Sequence, residues 1–322
     1  VLEYSNPVWP GYFADPFVLK HRGEYYAYGT GGPENGGLQA DGRMFPLLHS
    51  KDLAHWELVG GALTPLNDPS KPAYWAPEVA ERDGSFYMYY SAGGYEGQGH
   101  QVRVAIADSP AGPFEDTGNI LIPDEPFSID ASPFQDPKDG RWYLYFAKDF
   151  FDGGRAGTGT AVVPLSDDML SAAGPVTTVI RASADWQIFE RNRHWYDKHW
   201  EAWHTVEGPF VVFHDGLYYC LYSGGRWESA EYGVSFGVAD NPVGPFRDEW
   251  SSSGPCVLKG IEGKVLGPGH NSVVIGPEGK TEVIVYHAWD VARTARRLCI
   301  DPLVWTPDGP RCAGPTIGPQ KI

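Results

Sequence analysis

"ADPFVLKHRGEYYAYGT", residues 14–30, carries the pattern that decides the fold. A small residue, an acid and a proline open it, a short apolar run follows, "HRGE" supplies a turn, and an aromatic run closes it. Two strand-like runs around a glycine-bearing turn read as a β-hairpin. The same shape returns four times: "WAPEVAERDGSFYMYYS" (75–91), "DASPFQDPKDGRWYLYFA" (130–147), "EGPFVVFHDGLYYCLYS" (207–223) and "GPGHNSVVIGPEGKTEVIVYH" (267–287). Pro16, Pro77, Pro133, Pro209 and Gly269 mark the repeats at similar intervals, the longest lying between Pro133 and Pro209.

Each interval leaves room for two more strands. "RMFPLLHSKDLAHWELVG" (43–60), "VRVAIADSPAGPFEDTG" (102–118) and "YGVSFGVADNPVGPFRD" (232–248) fit outer pairs, and the last two share "AD-x-P-x-GPF", beginning at Ala107 and at Ala239. Repeated four-stranded units without helices predict an all-β, five-bladed β-propeller with four antiparallel strands per blade, as one domain over residues 1–322. The intervals exceed the roughly 40–45 residues of WD40 blades, and the WD signature is absent. A two-sheet sandwich is the competitor, but it leaves five matched hairpins unexplained.

Composition agrees. Of the 322 residues 42% are hydrophobic, enough for a large core, and 40 glycines and 28 prolines without a three-residue period suit many turns. The net charge of −16, from 25 basic and 41 acidic residues, repels a phosphate backbone and argues against nucleic acid as a partner. No stretch approaches the roughly 18 consecutive apolar residues of a membrane span. A neutral oligo- or polysaccharide pays no charge penalty, and 12 tryptophans and 18 tyrosines suit sugar faces as well as they suit a core. Cys220, Cys256, Cys299 and Cys312 are too few for a disulfide scaffold and lack zinc spacing; they read as buried thiols, with one disulfide an option. No leader is visible, which leaves secreted and cytoplasmic locations both open. Nothing in the sequence addresses the oligomeric state.

In a radial fold, equivalent positions of different units meet around one axis. Asp15, Asp130, Glu207 and His270 all lie at the start of a repeat's first strand, and Trp75 and Glu78 lie nearby in the second repeat. A lone acid before a proline is ordinarily a turn or capping device. Three acids in shared register are better explained as a group. Carboxylates gathered in one place take different protonation states, as acid/base hydrolysis of a glycosidic bond requires.

The chain resembles glycoside hydrolase family 43 over nearly its full length. The resemblance rests on "NPVWPGYFADPF", "YWAPEV", "IDASPFQDPKDGRWYLYF", "TVEGPFVVFHDGLYYCLYSGG", "GPGHNSVV" and "ARRLCIDPLVWTPDGP". It implies a five-bladed propeller and an inverting single displacement, with Asp15 as general base, Glu207 as general acid, and Asp130 orienting the acid and tuning its pKa. It also implies an arginine reaching the sugar or the acids, matched by Arg296 with Arg297 adjacent, and a central histidine, His270, beside a possible water-held calcium; no cofactor is required.

Candidate substrate walls are Trp75 first, then Phe13, Phe134 and Trp203, the last in the tryptophan-rich "WQIFERNRHWYDKHWEAWHTVEGPF" (186–210). Packing between blades is the competing reading for each. The expected activity is inverting removal of terminal pentose units from plant polysaccharides such as arabinan or arabinoxylan, α-L-arabinofuranosidase favoured. β-Xylosidase and endo-arabinanase are alternatives on the same scaffold, and a non-catalytic sugar-binding propeller is the alternative of another class.

Overall fold

The computed structural model describes residues 2–321. A short strand, β1 (Glu3–Tyr4), precedes a first sheet of β2 (Ala14–His21), β3 (Glu24–Thr30), β4 (Met44–Ser50) and β5 (Trp56–Leu63). A second sheet holds β6 (Ala73–Arg82), β7 (Ser85–Gly93), β8 (Gln101–Ala107) and β9 (Glu115–Ile120). Next come β10 (Ser128–Gln135), β11 (Trp142–Phe150), β12 (Gly157–Pro164) and β13 (Thr177–Thr178), then β14 (Ile188–Trp195), β15 (Lys198–His214), β16 (Leu217–Gly224) and β17 (Gly233–Ala239). These eight form one sheet, because β12 and β15 pair in parallel at Gly157–His204 and Thr158–Thr205. The last four-stranded sheet is β18 (Leu266–Ile275), β19 (Glu282–Trp289), β20 (Arg296–Thr306) and β21 (Gly309–Cys312), and β22 (Gln320–Lys321) returns to pair with β1. The only helical pieces among the described residues are two short 3₁₀ turns. The protein is all-β.

All five hairpins read from the sequence form, as β2–β3, β6–β7, β10–β11, β15–β16 and β18–β19. Two of the three outer pairs form as well, β4–β5 and β8–β9. The third does not: past β17 only the isolated bridges Val238–Arg247 and Val234–Leu258 edge the sheet. Between those bridges runs "RDEWSSSGPCVL" (247–258), whose serines and Gly254–Pro255 step are poor strand formers and break any regular ladder.

The first strands of the hairpins close a ring: β2 touches β6 and β18, β6 touches β10, β10 touches β15, and β15 touches β18. Apolar side chains fill the wedges between neighbouring sheets, for example Tyr28, Phe45, Leu47, Val79 and Met88 between the first and second. The shared "AD-x-P" turns have a matching job. The Tyr28 hydroxyl donates to the Pro110 carbonyl and the Tyr145 hydroxyl to that of Pro242, each at 2.5 Å. Each bond ties the second strand of one hairpin to an outer turn of the next. All four cysteines are free thiols. No helix among the described residues is long and apolar enough to cross a membrane.

Candidate active site

Each ring strand breaks register at its start. The ladder skips between Ala14 and Phe17, Trp75 and Glu78, Ile129 and Ser132, Glu207 and Phe210, and Gly269 and Ser272. The first unpaired residue of each bulge is left-handed: Asp15 (φ 50°), Ala76 (47°), Asp130 (57°), Gly208 (57°) and His270 (48°). Such a bulge bends the strand and re-aims its side chains. Asparagine, aspartate, histidine and glycine tolerate this conformation best, and four of the five positions hold one of the last three. At the glycine the reason is also spatial, because a Cβ on Gly208 would lie 3.2 Å from the His270 ring.

This geometry corrects the register read from the sequence. The residues equivalent to Pro16 are Pro77, Ala131, Pro209 and Asn271, so the third marker moves back from Pro133 and the fifth forward from Gly269. Asp15, Asp130 and His270 do share a position. Glu207 sits one residue earlier, level with Trp75 and Ile129, and Glu78 sits two residues later than the bulge position, level with Ser132 and Ser272.

Asp15 is wrapped by polar groups. Thr30 Oγ1 donates to its Oδ2 at 2.6 Å, while Arg296 Nη1 lies 3.2 Å from Oδ1 and the Nδ1 atoms of His270 and His287 lie at 3.3 and 3.4 Å. The Asp15 amide donates to His287 Nδ1 at 3.0 Å, so the neutral ring carries its proton on Nε2. Burial would raise the Asp15 pKa, but the Arg296 guanidinium, with the two histidines, holds it well below the usual carboxylate range. Burial also keeps the imidazoles uncharged, lowering His270 and taking His287 down to about 4. Arg296, itself buried, stacks 4.2 Å over Trp227 and donates from Nε to the Tyr12 hydroxyl.

Glu207 goes the other way. Burial is the leading cause that lifts it to about 7, opposed by the Tyr232 hydroxyl, which donates to Oε1 at 2.8 Å. Asp130 is raised well above its ordinary value, first by burial and then by Glu207 and Asp15, so Asp130 and Glu207 titrate as a pair. Asp130 Oδ2 accepts the Gly208 amide at 3.0 Å, which pins the backbone next to Glu207. Glu78, also raised by burial, has an Oε2 atom with no hydrogen-bond partner, as have both amide atoms of Asn271 and Nε2 of His287. Among the described residues no three His, Cys, Asp or Glu side chains group as direct metal ligands.

Two cavities meet at this point. One of about 530 Å³ is lined by Asp15, Asp130, His270, Arg296 and Trp289; one of about 660 Å³ by Phe189, Arg193, Trp195, Trp203 and Arg226. Trp75, Tyr95, Ile129, Glu207 and Trp227 line both. Trp75 is held by stacking on His100, with ring centroids 3.6 Å apart. Phe13 and Phe134 lie elsewhere, a correction to the sequence reading. Phe13, just ahead of β2, is buried among Tyr4, Val18 and Tyr25, and Phe134 on β10 packs on Tyr145 and Tyr218, so both rings are spent on core packing. Tyr12, Thr30, Trp227, Tyr232, His287 and Trp289 were missed. Tyr12, Trp227 and Tyr232 come from loops outside the hairpin repeats, while Thr30, His287 and Trp289 lie at the far ends of second strands, away from the acid-and-proline openings that drew attention to the first strands.

An ionised carboxylate braced by arginine, a second carboxyl that keeps its proton near neutrality, and aromatic walls around both are the working parts of a glycoside hydrolase. The model of the family described as Glycosyl hydrolases family 43 matches residues 4–310, and the chain belongs to that family. It is 33% identical over 323 aligned residues to a β-D-galactofuranosidase of Aspergillus niger, covering 95% of this chain and 83% of that one. It is 27% identical over 302 aligned residues to a probable arabinan endo-1,5-α-L-arabinosidase B of Aspergillus oryzae, covering 85% and 81%. Among solved structures, a thermostable family-43 glycoside hydrolase superposes with a TM-score of 0.81 at 32% identity, covering 99% of this chain and 98% of the other.

Proposed function

We propose that this protein is an inverting furanosidase that releases terminal α-L-arabinofuranosyl units from neutral plant oligo- or polysaccharides. The scaffold is read as a five-bladed propeller in which the eight-stranded sheet counts as two blades. The observation that carries the mechanism is the opposite pull on two carboxyls sharing one cavity: Asp15 held ionised beside Arg296, Glu207 held protonated up to about pH 7.

A water on the Asp15 side attacks the anomeric carbon and loses its proton to Asp15. The glycosidic C–O bond breaks as Glu207 gives its proton to the leaving oxygen, and the anomeric centre inverts. Asp130 holds the Gly208 amide and so fixes the backbone beside Glu207. This mechanism calls for carboxyls roughly 6.5–9.5 Å apart. His270 is the side chain that would stand beside a calcium ion in the ring, which would be held largely through water, and no step passes through it. Thermal melting before and after chelation, then on calcium addition, tests that placement.

The first relative favours a second reading, β-D-galactofuranosidase. The two are chemically close, because β-D-galactofuranose repeats the ring configuration of α-L-arabinofuranose with one more carbon on the exocyclic arm. A 1,5-linked arabinan likewise requires the furanose form, since O5 must be outside the ring. The test is a panel of nitrophenyl α-L-arabinofuranoside, β-D-galactofuranoside and β-D-xylopyranoside, with NMR of the first-formed anomer. A retained anomer overturns the mechanism; the preferred glycoside decides between the two furanosidases.

A further inference from the structure

Glu207 is the one acid of the three that lines both cavities; Asp15 and Asp130 line only the smaller one. Resting on the proposed function, this fixes the direction of a bound substrate. The acid must touch the leaving oxygen, and the base must reach the opposite face of the sugar being released. The released sugar therefore sits with Asp15, and whatever leaves must extend past Glu207. We infer that the larger cavity is a leaving-group compartment, shaped by the β14–β15 hairpin, that selects an uncharged glycan chain of more than one unit.

The hairpin is built for this. β15 runs 17 residues; its first part pairs with β14, and its later part carries Glu207 into the ring. The compartment and the acid therefore share one continuous strand. Asp149 on β11 anchors the turn. It is buried, and it accepts from Thr158 Oγ1 (2.8 Å), from the Tyr196 hydroxyl (2.7 Å) and, at 3.5 Å, from Trp195 Nε1. Arg193 lies over Phe189 (4.9 Å) and Trp195 (4.8 Å), which holds both rings in place. Fixed aromatic faces suit the C–H faces of sugars.

Size and charge narrow the occupant. The volume of about 660 Å³ lies within the roughly 300–1,000 Å³ of ligand pockets and exceeds the about 530 Å³ of the cavity that takes the released sugar. Glu96, Glu190 and Glu228 outnumber Arg193 and Arg226 on the walls, and Arg226 already lies 3.1 Å from Glu228 and Arg193 3.6 Å from Glu190. A uronate would meet this acidic wall without a free cation to receive it; a neutral chain would not.

The experiment compares the unaltered enzyme with Trp195→Ala and Tyr196→Phe. The substrates are an aryl furanoside and the matching neutral linear tri- and tetrasaccharides, arabinofuranosyl and galactofuranosyl sets both run. The expected result is a fall of tenfold or more in the oligosaccharide-to-aryl ratio of kcat/KM for Trp195→Ala, carried mainly by KM, and a smaller fall for Tyr196→Phe. Equal losses on both substrate types, or an unchanged ratio in both folded variants, overturns the inference while leaving the proposed function standing. Should Trp195→Ala not fold, Tyr196→Phe decides alone, since it removes one hydroxyl from an exposed ring. An unaltered enzyme that cleaves the aryl furanosides but binds the oligosaccharides no better than a monosaccharide also overturns it. One that cleaves none of the glycosides removes the proposed function, and the inference with it.

Discussion

Asp15 and Glu207 are chemically similar side chains set to opposite states by what surrounds them, and single substitutions should show it. On the proposed mechanism, replacing either by alanine removes a proton-transfer partner, with an expected loss of about 10²–10⁴ in kcat/KM; Asp15→Ala should also lower the melting temperature, because it leaves Arg296 and Thr30 without their acceptor. Glu207→Gln should be gentler on aryl glycosides than on oligosaccharides, because a nitrophenolate leaves without being protonated. The pH profile follows from the same two groups. The proposed mechanism needs Asp15 charged and Glu207 protonated, so kcat/KM should hold from the acid side up to near pH 7 and fall above it. Tyr232 donates to Glu207 and thereby favours its charged form. Tyr232→Phe should therefore move the alkaline limb upward, read from a pH–rate profile; a downward move would mean Glu207 is not the group titrating there. At this scale the sequence named the acids but not their setting. "ADPF" and "EGPF" are visible motifs, whereas Tyr232 lies in an unmarked loop just ahead of β17, and His287, at the end of its repeat, meets Asp15 only across the ring closure.

Elements show where repeat reasoning works and where it slips. The hairpins were legible because aromatic alternation and a glycine turn occur together five times. The outer edge past β17 was not, since "AD-x-P-x-GPF" ends in a regular strand after β8 but in single bridges after β17. The register error at Glu207 has the same kind of cause: a bulge adds one residue without any change in composition. The β14–β15 hairpin hid in plain view, its tryptophans legible as a group but its pairing invisible. It docks on the sheet through Gly157 (φ 147°), where a Cβ would collide with the His204 backbone. Gly157→Ala should cost about 1–3 kcal/mol by urea titration from backbone strain alone. Oligosaccharide turnover should suffer more than aryl turnover, because the displaced strand is the one that carries Glu207.

For the molecule as a whole, the question is how the ring stays shut. Both chain ends join one seam: β1 pairs with β22, and the Val8 and Phe13 amides donate to the carbonyls of Leu298 and Arg296. At its centre lies Asp301, fully buried, accepting from Tyr4, Tyr286, Asn6 and both the amide and hydroxyl of Thr316. Asp301→Ala strands several of these donors at once, each costing about 1–3 kcal/mol. The expected outcome is a large drop in melting temperature with loss of activity, although Asp301 touches no substrate wall; a stability change within error would mean the seam is held elsewhere. The ring was legible from spacing alone. Its seam was not, because no short-range pattern links residue 4 to residue 301.

Two of the five left-handed seats, those of Ala76 and Gly208, carry no functional group. The bend that aims a side chain inward is thus a property of the main chain, present whether or not there is anything to aim. A protein built this way can exchange its reactive groups around a fixed circle without rebuilding the wall that holds them. Ala76 is then a vacancy: the position at which one substitution would add a new acid or imidazole to the circle.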